Sequence, residues 1–145
     1  MRMMFVTASI ASVLSGTVAS LSAHHAFGAE FDADKRLQLR GTVTQVEWTN
    51  PHVWIHIDAK KPDGAVESWA IEAGGPTSLF RRGFTKASLA VGTEIRVDGY
   101  QSKDGANRIN GREVTFLDGR RLFLGSPGTG APAEIDPDVQ KQPGR

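Results

Sequence analysis

Residues 53–73 read VWIHIDAKKPDGAVESWAIEA, and this stretch decides the fold. Apolar and polar side chains alternate on either side of Pro62-Asp63-Gly64, which is typical of two antiparallel strands joined by a short turn. Pro suits the first turn position and Gly suits a left-handed one, so we predict a three-residue loop at 62–64. The resulting register places three apolar pairs on one face, which must be the core: Val53–Ala73, Ile55–Ile71 and Ile57–Trp69. A two-residue loop would set Ile55 against Glu72 and mix the two faces.

The alternating pattern continues on both sides of this hairpin. We predict a strand over about residues 37–47 before it and strands over about residues 93–100, 109–117 and 121–124 after it. A short helix is expected within residues 77–83, and Phe84 and Leu89 are expected to plug the end of the core. This order predicts an all-β fold with one short helix, a small OB-like Greek-key barrel of five to six strands. A β-sandwich is the alternative, but it usually has about seven strands and no central helix.

The first residues of the chain have the composition of an export signal. Residues 1–23 hold Arg2 followed by 21 uncharged residues, rich in Ala, Ser, Val and Thr. This pattern predicts a secretory signal cut after Ala23, and hence a periplasmic or secreted protein. A cut near Val18-Ala19-Ser20 and an uncleaved membrane anchor are the alternatives.

The rest of the chain divides into a domain and a tail. We expect an OB-like domain over residues 24–125, with an N-terminal arm that docks through Phe27 and Phe31. Residues 126–145 hold four Pro and three Gly in twenty positions, so they bury too little surface to offset the entropy of ordering. We therefore expect this tail to be disordered.

Composition excludes several classes of function. The 145 residues include no Cys, which rules out a disulfide scaffold, a Cys-ligated zinc site and a cysteine nucleophile. Lys and Arg number 17 against 16 Asp and Glu, and this balance argues against nucleic acid, and against a membrane after signal cleavage, as partners. No phosphate-binding loop, G-x-S-x-G or H-E-x-x-H motif is present, which favours a protein that is not an enzyme.

Five ordered motifs between residues 24 and 125 carry a family resemblance: HHAFGAEFD, GTVTQVEWTNPHVW, WAIEAGGP, LFRRGF and VGTEIRVDG. With these motifs the chain resembles a family of small exported bacterial proteins of unknown function. Members begin, after the signal, with His-His-x-Phe and carry a Glu-Trp-x-Asn-Pro-His-x-Trp segment. The resemblance implies export and a single β-rich domain, and it names no substrate.

The first candidate site combines the new N terminus with one internal histidine. If the signal is cut after Ala23, the chain begins His24-His25 and offers a terminal amine beside two imidazoles. Copper(II) prefers nitrogen-rich tetragonal sites and stands highest in the divalent affinity order. His52 follows a rigid Asn-Pro turn, so its imidazole is the internal candidate for this metal site. The alternative is that the two adjacent histidines only form a polar start of the mature chain.

The second candidate site is the outer face of the hairpin, which carries Trp54, His56 and Glu72. His56 and Glu72 are diagonal neighbours about 7–8 Å apart and would bracket a ligand, while Trp54 would stack on it. Glu47 would orient His52 as a hydrogen-bond acceptor. The alternatives are a wet sheet face, with Trp54 covered by the arm and Glu47 solvated.

Three functions remain open from the sequence alone. The first is an exported periplasmic module that binds a small ligand or metal ion, with copper held by His24, His25 and His52. The second is a protein-interaction or accessory module of an envelope complex, without a metal. The third is a small metal-dependent periplasmic enzyme, because a bound metal can be catalytic as well as structural.

Overall fold

The computed structural model describes residues 27–125 of the 145. These residues form six strands and three short helical segments, in the following order along the chain. They are α1 (Phe27–Glu30), β1 (Phe31–Glu47), β2 (Trp54–Lys60), β3 (Val66–Glu72), α2 (Pro76–Arg81), a 3₁₀ turn (Ala87–Leu89), β4 (Glu94–Ser102), β5 (Arg108–Phe116) and β6 (Arg121–Phe123). The predicted signal, the His24-His25 pair and the predicted tail lie outside the described residues. No helix within residues 27–125 is long and apolar enough to cross a membrane.

The β2–β3 hairpin has the predicted register. Ile55 faces Ile71 and Ile57 faces Trp69, and the turn closes with the amide of Lys61 donating to the carbonyl of Ala65. Gly64 has a φ of +86°, a conformation that side chains other than Gly rarely adopt. Turn chemistry and apolar pattern therefore agree on one pairing, as the sequence indicated.

Strand β1 belongs to both halves of the barrel. Its second part pairs with β2 and its first part pairs with β4, and Gly41 takes part in both ladders. A Cβ atom on Gly41 would lie 2.6 Å from the carbonyl oxygen of Asp58, so only Gly permits this approach. A parallel pairing of β3 with β5 closes the ring, in the strand order β1-β2-β3-β5-β4. The fold is therefore an OB-like barrel, with β6 extending it as a hairpin on β5.

The core lies inside this ring and is closed at one end by the α2 region. Leu79, Phe84 and Leu89 are buried there, which confirms the predicted plug. The helix begins with Pro76 after Gly75, and no side chain caps its first turn.

A second, smaller apolar cluster holds the N-terminal arm on the outside of the barrel. The ring of Phe27 meets Tyr100 edge-on at 5.3 Å and stacks on Phe31 at 5.9 Å, and all three residues are buried. The amide of Lys103 donates to the carbonyl of Glu30 at 2.9 Å. Phe27 and Phe31 are thus the docking points that the sequence predicted. Two details differ: the arm contains the helical turn α1, and β1 begins at Phe31 rather than near residue 37.

Candidate metal and ligand site

His52 lies in the loop between β1 and β2, close to the end of the core. The loop contains a cis peptide bond between Asn50 and Pro51, and the hydroxyl of Thr49 donates to the carbonyl of His52 at 3.1 Å. The next residue, Val53, exchanges backbone hydrogen bonds with the chain just after β3. These contacts fix the backbone on both sides of the imidazole.

The imidazole of His52 is held in one tautomer. Its Nδ1 lies 3.1 Å from the carbonyl oxygen of Ala73, and a carbonyl oxygen can only accept. Nδ1 therefore carries the proton, and in the neutral ring Nε2 keeps a free lone pair. Metal-binding histidines commonly have this arrangement, with the second ring nitrogen donating to a carbonyl or a carboxylate.

The carboxylate of Glu72 reinforces this arrangement. Its Oε1 lies 3.8 Å from Nδ1 of His52, and each side chain is only 12% exposed. Asn110 donates from Nδ2 to the same oxygen at 3.4 Å. Burial raises the pKa of Glu72 above its ordinary value, although the positive charges of His52 and Arg108 act in the opposite direction. The pair therefore lies in a partly desolvated environment, where electrostatic interactions are stronger than in water.

The docked arm lies along the same wall of the barrel. Tyr100 pairs with Asn110, and Asn110 pairs with Glu72, so one row of residues runs from the arm to His52. Adjacent strands are about 4.8 Å apart, so two steps from β4 to β3 cover roughly 10 Å. The negative charge of Glu30 on the arm also raises the pKa of Glu72.

Glu47 has a different partner from the one that the sequence suggested. Its Oε1 lies 2.8 Å from Nε2 of His56, and it does not orient His52. A register shift in β1 between Val43 and Gln45 explains this pairing, because it sets Glu47 opposite Trp54 and diagonal to His56. The predicted bracket of His56 and Glu72 is replaced by two separate pairs, Glu47 with His56 and His52 with Glu72.

Trp54 lies between these two pairs. It faces Glu72 on one side and Glu47 on the other, and its side chain is half-buried rather than fully exposed. In the register of the sheet, Trp54 therefore stands between Glu47 of one pair and Glu72 of the other. Within residues 27–125, no three His, Asp or Glu side chains are grouped so as to hold a metal ion by themselves.

Two contributors to the site were missed by sequence reasoning. Asn110 is the amide that contacts Glu72, and Tyr100 anchors the arm beside it. The contact between β3 and β5 that brings Asn110 to Glu72 spans 38 residues of chain. The alternation of apolar residues in β5 places Asn110 outside the core. Its contact with Glu72 follows only from the parallel pairing of β3 with β5, which closes the barrel.

The fold and the site together define a small OB-like barrel with a tautomer-locked histidine and a buried carboxylate beside a docked arm. The chain belongs to the family of unknown function DUF6152, whose model matches residues 11–111. This confirms the resemblance to a family without assigned activity. No curated protein matches the chain.

One solved structure with a likeness to this chain is the mitochondrial single-stranded DNA-binding protein Rim1 of S. cerevisiae. Its sequence is 12% identical, the match covers 60% of this chain and 94% of that one, and the TM-score is 0.44. The exclusion of nucleic acid as a partner was therefore wrong, since a protein of that class is among the structural neighbours. The exclusion rested on charge averaged over the whole chain, which does not describe any one surface. At 12% identity, no residue that binds DNA in that protein is assigned to a position of this chain.

Proposed function

We propose that this protein is an exported ligand-binding module that holds a copper ion between its processed N terminus and His52. The ligands are the terminal amine and imidazole of His24, the imidazole of His25 and Nε2 of His52. Such a nitrogen-rich set matches the preference of copper(II). Glu72 and the carbonyl of Ala73 are positioning groups that keep the proton on Nδ1.

One observation carries this proposal: the hydrogen bond from Nδ1 of His52 to Ala73. In the neutral imidazole this bond places the lone pair on Nε2 without any metal present, so the ligand atom is oriented before binding. A packing role alone does not require that one ring nitrogen be held as the donor and the other as the acceptor.

The docked arm supports the same proposal. His24 precedes Phe27 by three residues, and three residues span at most about 11 Å. That reach matches the roughly 10 Å between Tyr100, where Phe27 docks, and Glu72. The length of chain ahead of the docked Phe27 is thus sufficient for the proposed copper site and supports the proposal.

The test begins with protein exported and processed by a bacterial host. Its mass fixes the first residue, and calorimetric titration with Cu²⁺ then measures the affinity. We expect a Kd tighter than about 10 μM, which corresponds to about −7 kcal/mol. His52→Ala is expected to weaken binding at least tenfold, and Glu72→Gln is expected to weaken it by roughly tenfold, as loss of a positioning group does.

His56→Ala is the matched control, because His56 lies on the same hairpin and pairs with a carboxylate of its own. It should leave the Cu²⁺ affinity unchanged. One Ala inserted ahead of His24 should weaken binding strongly, because it separates the amine from the first imidazole. A Kd weaker than about 10 μM, or equal losses in the His52 and His56 variants, would overturn the proposal.

A further inference from the structure

A row of arginines crosses the outer face of the barrel. Arg40 on β1 lies directly opposite Arg96 on β4. Arg96 in turn lies opposite Thr115 on β5, which lies opposite Arg121 on β6. Directly opposed residues of antiparallel strands have Cβ atoms about 4.5–5.5 Å apart, and like charges at that distance destabilise the pair. The sheet therefore holds Arg40 and Arg96 side by side against their mutual repulsion.

A small groove lies over the first part of this row. Arg40, Arg96 and Thr115 line it, together with Phe116 and Leu117 at the end of β5. None of the described residues that line the groove is acidic. Its volume of about 190 Å³ is below the roughly 300–1,000 Å³ of pockets for drug-sized ligands, so the groove suits a compact anion.

The two arginines in the groove have unused donors. Arg96 is exposed, and its side chain forms no hydrogen bond or ion pair within residues 27–125. Arg40 donates from Nε to Glu94 at 2.5 Å, and its two Nη groups have no partner in the same part of the chain. A guanidinium group presents its donors in a planar fork that matches the oxygens of a phosphate or carboxylate. The pair can therefore hold several oxygens of one anion.

The other carboxylates near the groove already have partners. Asp98 accepts from Gln38, Glu113 accepts from Arg121, and Asp118 forms an ion pair with Arg120. The guanidinium carbon of Arg120 also lies 4.7 Å from the ring centre of Phe116, beside the groove. Because each of these acids is matched by a basic or amide group, the charge of Arg96 remains without a counter-charge in the described part of the chain.

We propose that this groove binds a phosphate group. Arg96 is the central ligand, Arg40 donates through its Nη groups, and Thr115 supplies a hydroxyl. A phosphate monoester carries about −1.5 to −2 charges and three acceptor oxygens at pH 7, which matches two guanidinium groups better than a single carboxylate does. The phosphate belongs either to a small soluble compound or to the headgroup of an anionic lipid. The site is independent of the proposed copper site, because it involves neither the arm nor His52.

The first test titrates the metal-free protein with inorganic phosphate at constant ionic strength and records its amide NMR signals. We expect saturable shifts at Arg96, Thr115 and Leu117, with a Kd below about 10 mM. Arg96→Gln should weaken binding at least tenfold. Urea titration without phosphate should show that this variant is no less stable than the unmodified protein, because it removes a like-charge pair. Arg81→Gln is the matched control, since it removes the same charge from an exposed arginine outside the groove.

The second test distinguishes the two sources of phosphate. Sedimentation with phosphatidylglycerol vesicles is compared with sedimentation with phosphatidylcholine vesicles, which carry no net charge. Preference for phosphatidylglycerol that is lost in Arg96→Gln assigns the site to a lipid headgroup, with exposed Leu117 at the membrane surface. Binding of free phosphate without this preference assigns it to a soluble compound. The proposal is overturned if neither probe binds in a way that depends on Arg96, or if Arg81→Gln weakens binding as much as Arg96→Gln.

Discussion

Removal of the Phe27 ring should release the N-terminal arm and leave the barrel folded. Phe27 is 3% exposed, and its ring contacts are with Phe31 and Tyr100, in a cluster separate from the main core. Phe→Ala changes at buried sites cost about 3–5 kcal/mol. The two ring pairs account for about 0.5–1.5 kcal/mol each beyond the buried area. We expect Phe27→Ala to weaken arm docking by about 3 kcal/mol, the lower end of that range, because the cluster is small.

Hydrogen exchange measures this release residue by residue. The amide of Lys103 donates to Glu30 of the arm, so it becomes free to exchange when the arm undocks. A loss of about 3 kcal/mol corresponds to an exchange rate on the order of a hundredfold higher. Phe80→Ala is the control, since Phe80 is 46% exposed and stacks on Trp48, away from the arm. An unchanged rate at Lys103, or an equal rise at Ile57 in the core, would refute the reasoning.

Two further predictions concern the barrel and its β4–β5 turn. Gly41→Ala should lower the free energy of unfolding by about 1–3 kcal/mol in urea titration, because its Cβ atom would lie 2.6 Å from the backbone oxygen of Asp58; Gly28→Ala, with open space around it, should change little. Asp104→Asn should be less stable than the unmodified chain at pH 7. The hydrogen bond from Ser102 holds the pKa of Asp104 below its ordinary value of 3.8. The difference in unfolding free energy between the two proteins should therefore shrink as the pH falls through that lowered pKa. A difference that stays constant between pH 7 and pH 2 contradicts the assignment.

Local patterns predicted the hairpin and the plug because they involve neighbours in sequence. The register of β2 and β3 follows from the period of apolar residues and from one turn with Gly64. Gly41 stands in the middle of the apolar alternation of β1, at the point where the strand passes from one partner to the other. In the hairpin, the turn residues and the alternation of apolar side chains predict the same strand register.

The environment of the candidate site could not be predicted in the same way. Alternation places Glu72 on the outer face of the hairpin, which predicts exposure, but pairing of β3 with β5 covers it. The partner of Glu47 depends on a one-residue irregularity in β1 that no local motif marks. Arg82 follows Arg81 in a basic pair, yet it packs on Phe123 from a distant hairpin. The burial of Glu72 depends on closure of the ring, the partner of Glu47 depends on the bulge in β1, and the contact of Arg82 joins residues 41 positions apart.

Because β1 pairs with both β2 and β4, it also determines the order in which parts of the barrel can fold. The strand begins at Phe31, whose partner Ser102 lies 71 positions later, and the aromatic anchor of the arm needs Tyr100. Contacts with such wide sequence separation are slow to assemble. During synthesis, the arm and the start of β1 can therefore dock only after β4 has been made. Maturation of any site that depends on the arm is consequently one of the last events of folding.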